Sequence, residues 1–87
     1  MPGVSRDNDT AGGDLIPSQS AVFVENQLVI VDKDGVAGHG PAPHIPQTIS
    51  ATINSTVFIG SKLVVVQGDP ADVCREPATG SGTVTIG

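Results

Sequence analysis

The sequence predicts a small all-β domain, and three of its features indicate this fold class. Val and Ile supply most of the hydrophobic residues, and both favour extended strands. Eleven Gly and seven Pro indicate many turns and few helices. One short unit also recurs along the chain. We therefore expect a single domain over residues 1–87, with a thin hydrophobic core because the chain is short.

The recurring unit is clearest in residues 22–34 and 57–69, which align without a gap. Each copy is typical of a β-hairpin that ends in an Asp, with turns predicted at 25–27 and 60–62. Partial copies at the two chain ends complete a set of three. The predicted first arms begin at Val22, Val57 and Val84, and the second arms begin at Val4, Val29 and Val64. This order predicts a closed pseudo-threefold object, in which the C-terminal strand lies near the N-terminal strand and few sheet edges are exposed.

Three segments between the arms, residues 10–20, 35–54 and 70–80, carry most of the Gly and Pro and nearly all the chemically active side chains. We interpret them as loops, and segments of this length without secondary structure are often functional. The repeated register further predicts that all three loops converge at one end of the domain. The expected shape is a small cone of short strands and hairpins with its loops at the tip.

Potential metal ligands recur in these loops at one register. Five positions after each Asp that ends a second arm stands a possible ligand: Asp14, His39 and Cys74. His44 follows in the same loop as His39, and Glu76 competes with Asp14 for the place of a fourth ligand. One thiolate, two imidazoles and a carboxylate suit tetrahedral zinc, and iron is a second candidate. The single Cys excludes an intramolecular disulfide, so any added constraint on this small domain would come from a metal ion or from another chain.

Several motifs resemble those of the PAAR-repeat proteins, in an order that covers essentially the whole chain. The N-terminal segment 2–10 resembles the usual opening of that family, and residues 57–60 resemble its first arm. Gly68-Asp69-Pro70 resembles the element that follows its second arm, whereas 38–44 resembles its ligand loop. The second arms depart from the family, because they lack the Pro-Ala-Ala-Arg sequence itself and read Leu-Val-Ile-Val at 28–31 and Leu-Val-Val-Val at 63–66.

The resemblance implies a structural protein and not an enzyme. PAAR-repeat proteins cap a trimeric β-helical spike, one copy per trimer, in phage tail baseplates, type VI secretion systems and related contractile injection machines, where they serve membrane puncturing. They bind zinc near the tip, typically through three His and one Cys, and by position His39, His44 and Cys74 match that set. Asp14 stands where the family usually has its first His, and Glu76 where some members have a His after the Cys.

Charge and hydropathy exclude several other function classes. The net charge is −5, and the four Lys and Arg are spread along the chain, which argues against binding to nucleic acid or anionic lipid. No apolar run approaches the length of about 20 residues that spans a bilayer, and the N-terminus lacks a signal-peptide pattern. We expect synthesis in the cytoplasm, assembly into a virion tail or injection particle, and only transient contact with the target membrane. Two alternatives are a metal-free β-rich virion or scaffold adaptor and a small metal-dependent hydrolase.

Overall fold

The computed structural model describes residues 2–86, and every regular element within them is a β-strand. No helix in that range has the length and apolar character of a membrane span. The strands are short, and they form one four-stranded sheet and two hairpins, with several isolated bridges between them. In chain order they are β1 (Thr10–Ala11), β2 (Gly13–Ile16), β3 (Phe23–Val24), β4 (Gln27–Leu28), β5 (Gly35–Val36), β6 (Gln47–Thr48), β7 (Phe58–Ile59) and β8 (Lys62–Leu63).

Three second-arm segments meet at the centre of the domain in a closed ring of backbone hydrogen bonds. The Ser5 amide donates to the Val65 carbonyl (3.0 Å), the Val65 amide to the Ile30 carbonyl (2.9 Å), and the Ile30 amide to the Ser5 carbonyl (3.0 Å). Antiparallel bridges join the same segments on either side of these bonds: Val4 with Val66, Arg6 with Val29, and Val31 with Val64. We call segments 4–6, 29–31 and 64–66 the strand ring. Closure gives each segment two neighbours.

Each segment of the strand ring is followed by the same turn. A buried aspartate closes it by accepting a hydrogen bond from the backbone amide three residues earlier, in the pairs Asp9 with Arg6, Asp34 with Val31 and Asp69 with Val66. The residue before each aspartate has a positive φ, namely Asn8 (82°), Lys33 (69°) and Gly68 (97°). Gly and Asn adopt this left-handed conformation readily, but it is costly for Lys, so at Lys33 the hydrogen bond that Asp34 accepts stabilises a conformation that the local sequence does not favour.

Two hairpins and the paired chain ends were expected from the sequence, and the structure contains them. β3 pairs with β4 around Glu25 and Asn26, both with positive φ, which is the pattern of a type I′ turn. β7 pairs with β8 around a turn that begins at Gly60, where φ is +64° and a side chain would be disfavoured. Gly3 bridges to Thr85, so the C-terminal segment does lie beside the N-terminal one, although the contact is an isolated bridge and not a pair of strands.

The predicted absence of strands from the connecting segments was wrong. Segments 10–20 and 35–54 contain β1, β2, β5 and β6, which form an antiparallel sheet in the order β1-β2-β5-β6. The third segment joins this sheet through a bridge between Ile49 and Ala71. In β2 the side chains alternate, with Gly13 and Leu15 buried and Asp14 and Ile16 exposed. The sequence signal was weak because three of these strands have only two residues each.

Two small hydrophobic cores lie against the strand ring. The larger contains Ile30 and Val65 of the ring, together with Ala11, Leu15, Val36, Ile49, Ala71 and Ala78, and Cys74 packs against it. The smaller consists of Val4, Val29 and Val64, with Val24, Ile59 and Ile86 packed on it. Successive side chains of a strand point to opposite faces, so Val29 and Ile30, like Val64 and Val65, place the two cores on opposite faces of the ring.

A network of salt bridges and hydrogen bonds attaches the C-terminal segment, through Ser81 and Thr83, to the rest of the domain. The Arg6 guanidinium pairs with Asp9 (Nε to Oδ2, 2.8 Å) and with Glu25 (Nη1 to Oε1, 2.6 Å). Glu25 also accepts hydrogen bonds from the hydroxyls of Ser81 (2.6 Å) and Thr83 (2.9 Å). These two hydroxyl bonds are the main cause of a lowered Glu25 pKa, and the charge of Arg6 adds to it. Burial alone would raise the pKa of Asp9, but hydrogen bonds from Arg6 and Thr79 outweigh it and leave that pKa lowered too.

We predict that this network stabilises the fold at neutral pH and fails in acid. A carboxyl whose pKa is lower in the folded state contributes stability above its unfolded pKa, and this contribution is lost as the pH falls through the folded value. The ordinary values are 4.5 for Glu and 3.8 for Asp, so the loss begins below about pH 4.5. Glu25→Gln should be less stable than wild type at pH 7, and the difference should narrow towards pH 3.

The measurement is urea denaturation of both proteins across this pH range. Asp14→Asn is the control, because it neutralises an exposed carboxyl outside the network. A difference between Glu25→Gln and wild type that stays constant with pH would show that the charge of Glu25 contributes nothing.

Candidate metal centre

Four side chains from two segments of the chain form a compact group of metal-ligating atoms. One ligand atom from each of His39, His44, Cys74 and Glu76 lies within 4.8 Å of all the others. His39 Nε2 is 2.7 Å from Glu76 Oε1 and 3.8 Å from Cys74 Sγ. His44 Nδ1 is 3.0 Å from His39 Nε2 and 2.9 Å from Glu76 Oε1. These four residues could hold a metal ion.

The histidine segment is folded back on itself by its own backbone. The His39 amide donates to the His44 carbonyl (2.9 Å), and the His44 amide donates to the Pro41 carbonyl (2.9 Å). Because these bonds close the loop 39–44, the two imidazole rings approach each other, with ring centroids 4.8 Å apart. The loop therefore presents both rings to one position.

The Cys74–Glu76 segment is a tight turn that starts from the sheet. The Glu76 carbonyl accepts a hydrogen bond from the Ala71 amide (3.0 Å), and the Arg75 amide donates to the Ala71 carbonyl (3.2 Å). Arg75, between the two ligands, has a positive φ of 64°. This left-handed residue bends the backbone so that side chains two positions apart contribute to the same group of ligand atoms.

A glycine in the β1–β2 turn makes room for the group. A Cβ at Gly12 would lie 2.5 Å from the carboxylate of Glu76 and 2.6 Å from Nε2 of His39. Gly12 also has a φ of +85°, so a side chain there would be strained as well as blocked. In the sequence, the only signal for this role is the pair of adjacent glycines at 12 and 13, which does not by itself indicate a metal site.

Hydrogen bonds orient the first histidine and set the charge of the group. His39 Nδ1 lies 3.1 Å from the Ala37 carbonyl, which leaves Nε2 to face the other ligand atoms. A backbone carbonyl behind a ligating imidazole is the usual arrangement in metal sites. The Ala37 carbonyl and then the Glu76 carboxylate raise the pKa of His39. The hydrogen bond from His39 in turn lowers the pKa of Glu76, so the carboxylate is ionised.

The donor set and its spacing fit a transition-metal ion. Zinc bonds of about 2.0–2.1 Å to nitrogen or oxygen and about 2.3 Å to sulfur place tetrahedral ligands roughly 3.3–3.6 Å apart. The four distances given above, 2.7–3.8 Å, lie on either side of those values, and no two ligand atoms of the group are more than 4.8 Å apart. Two imidazoles, a thiolate and a carboxylate suit zinc, and iron also accepts this set. Four protein donors would complete a tetrahedral coordination sphere.

The structure brings together His39, His44 and Cys74, as the sequence predicted, and places with them Glu76, which was the alternative fourth ligand. Asp14 is not a member of the group. It lies in β2, exposed, opposite Thr10 in the strand register. The strand accounts for this position, because alternation directs residue 14 away from the core that Leu15 enters.

Comparison of the chain with protein-family models and with curated proteins gives no match. The likeness to PAAR-repeat proteins therefore stays a prediction from the motifs.

We predict a stoichiometry of about one zinc or iron ion per chain, with Glu76 as one of the ligands. Structural zinc supplies about 10–16 kcal/mol of apparent binding energy in small peptides, so removal by a strong chelator should lower the melting temperature sharply. Glu76→Ala should weaken metal affinity by at least about tenfold, as loss of a charged ligand requires.

Elemental mass spectrometry of the purified chain and thermal melting with and without chelator provide the measurement. Asp14→Ala is the matched control, and it should retain the affinity of wild type. Weaker binding in Asp14→Ala than in Glu76→Ala would restore Asp14 as the fourth ligand. A metal-free wild type whose melting ignores chelator would contradict the metal centre altogether.

Proposed function

We propose that this chain is a structural spike-tip protein, which caps and sharpens the trimeric β-helical spike of a contractile injection machine. The strand ring carries the proposal, because three antiparallel segments bond to one another in a closed cycle. A ring of three similar segments matches, in symmetry, the end of a trimer. The motif resemblance points to the same partner and to phage tails, type VI secretion systems or related particles.

The finer architecture in this proposal is a pseudo-threefold cone. The recurrence of one turn after each ring segment supports it, since Asp9, Asp34 and Asp69 make equivalent bonds. In this arrangement the three connecting segments leave the ring towards the metal centre and form the tip. The first arms lie on the opposite face of the ring, with the smaller core, and form the base.

Exposed apolar side chains support a docking role for the proposed base. Phe23 and Phe58 occupy equivalent places in two hairpins, and they remain 57% and 55% exposed. Neighbouring first-arm residues Val22, Val57 and Val84 are exposed as well. Phe58 and the three valines line a concavity of about 520 Å³ whose floor is Val4, Val29 and Val64, and Phe23 lies next to two of its lining residues, Val22 and Val24, in the sequence. A small domain that exposes its only aromatic residues is typical of one that buries them against a partner.

The metal centre would make the opposite end rigid. The two segments that provide the ligands have short strands and little apolar surface to bury, so an ion that joins them would replace a missing core. Four protein donors also favour a closed structural site over an open catalytic one, which supports a mechanical role and not the hydrolase alternative. In this function the tip contacts the target envelope only while it is pierced.

The proposal includes an assembly route. The chain would be made in the cytoplasm and join the spike apex of a virion tail or injection particle, one copy per trimer. The metal-free adaptor remains the rival, and chelation distinguishes the two, because an adaptor without metal would fold equally well in chelator.

We predict a complex of one chain with one spike trimer. The purified chain would be mixed with a trimeric β-helical spike protein from a contractile injection machine and measured by native mass spectrometry. Phe23→Ser with Phe58→Ser should weaken the complex by more than about tenfold, because buried aromatic residues are common binding hot spots.

Ile16→Ser is the control for this experiment, since Ile16 is equally exposed but lies in β2, away from the concavity. Wild-type affinity is expected for it. A spike trimer that binds three chains, or none, would refute the capping role.

A further inference from the structure

We propose that Gln47 is a positioning residue for the metal centre, and that its side chain joins the two ligand-bearing segments before an ion binds. This inference rests on the metal centre proposed above. Gln47 ligates nothing itself, because its amide lies behind the ligands and bonds only to backbone groups.

The carboxamide of Gln47 makes four hydrogen bonds, two to each segment. Its Nε2 donates to the carbonyls of Pro43 (3.1 Å) and Ile45 (2.9 Å). Its Oε1 accepts from the amides of Val73 (2.7 Å) and Cys74 (2.8 Å). A carboxamide has two N–H donors and two acceptor lone pairs, so every bonding position is used.

The four partners of Gln47 immediately surround the ligands. Pro43 and Ile45 are the residues on either side of His44, and Cys74 is a ligand whose own amide is bound. The Gln47 side chain therefore fixes the backbone at the imidazole and at the thiolate at the same time. The distance between the two segments is then set by the length of one rigid, planar amide.

Gln47 is itself held in place by the sheet. It lies in β6 and pairs with Val36 of β5, which also pairs with Leu15 of β2. Val36 and Leu15 are both buried in the larger core. Because the backbone of Gln47 is fixed in a strand, its side-chain carboxamide is held in place and can position the more irregular segments that it joins.

Gln19 offers a matched control, because its side-chain carboxamide also makes four hydrogen bonds to backbone groups. The Gln19 side chain accepts from the amides of Ala21 (2.9 Å) and Val22 (2.8 Å), and it donates to the carbonyls of Val22 (2.8 Å) and Val29 (3.0 Å). Gln19 is partly buried, as Gln47 is. None of its partners is next to a ligand in the sequence. Gln19→Ala therefore removes an equivalent set of four hydrogen bonds without acting on the metal centre.

Two substitutions separate the two halves of the Gln47 bridge. Gln47→Ala removes all four bonds. Gln47→Glu keeps two acceptor positions for the amides of Val73 and Cys74, but it directs an oxygen at the carbonyls of Pro43 and Ile45. Oxygen facing oxygen is repulsive, so this variant should displace the His44 side and leave the Cys74 side in place.

The experiment uses zinc affinity, measured by competition with a chelating indicator, and the absorption spectrum of the chain loaded with Co²⁺. Gln47→Ala should bind Zn²⁺ about 10–100-fold more weakly, the usual cost of removing a residue that orients a ligand. Its Co²⁺ ligand-field bands should shift or weaken. Gln47→Glu should keep the thiolate-to-cobalt band while its ligand-field bands change. Gln19→Ala should match wild type in both measurements.

Two outcomes would overturn the role of Gln47. One is wild-type zinc affinity and an unchanged cobalt spectrum in Gln47→Ala. The other is an equal loss of affinity in Gln19→Ala, which would show a general loss of stability. Failure of the metal centre itself gives a different result, because the wild-type chain would then show no thiolate-to-cobalt band at all.

Discussion

The closed cycle of hydrogen bonds between Ser5, Ile30 and Val65 is the constraint on which the rest of the fold depends. In this cycle each segment of the strand ring donates one hydrogen bond from its amide to one neighbour and accepts one at its carbonyl from the other. A segment therefore cannot move away without breaking its hydrogen bonds to both neighbours. The alternation of side chains along each segment then decides which residues enter the larger core and which enter the smaller one. Cys74 packs against the larger core, whereas Val24 and Ile59 of the two hairpins pack against the smaller one.

In this small domain, hydrogen bonds from polar side chains to the backbone fix much of the chain conformation that hydrophobic burial fixes in larger domains. The core has no aromatic residue, because the only two, Phe23 and Phe58, are exposed. In compensation, carboxylates and side-chain amides bond to backbone groups at several changes of chain direction. Asp69, for example, accepts bonds from the amides of Thr52, Ile53 and Val66. Such bonds are short-range and directional, so they specify turns that Gly-rich and Pro-rich segments would otherwise leave undetermined.

The sequence predicted the features that depend on local pattern and on repetition. The hairpins at Glu25 and Gly60 follow from turn chemistry, and the grouping of His39 with Cys74 follows from their equal spacing after Asp34 and Asp69. The rest could not be predicted, because it depends on contacts between distant segments. Two-residue strands such as β5 have no periodicity to detect, and the role of Gly12 appears only when β1 and β2 bring it against the ligands.

A continuous path of backbone contacts joins the strand ring to the ligand group. Val31 of the ring leads through the turn at Asp34, whose carbonyl accepts from the Ile49 amide (3.0 Å). Ile49 bridges to Ala71, and the Ala71 amide donates to the Glu76 carbonyl (3.0 Å). In the proposed tip, an axial load at the metal centre would pass along this path into the ring, where it is shared by three segments. In that proposed role a rigid ion would be useful only if such a path exists, so the function would depend on the hydrogen bonds behind the ligands as well as on the ligands.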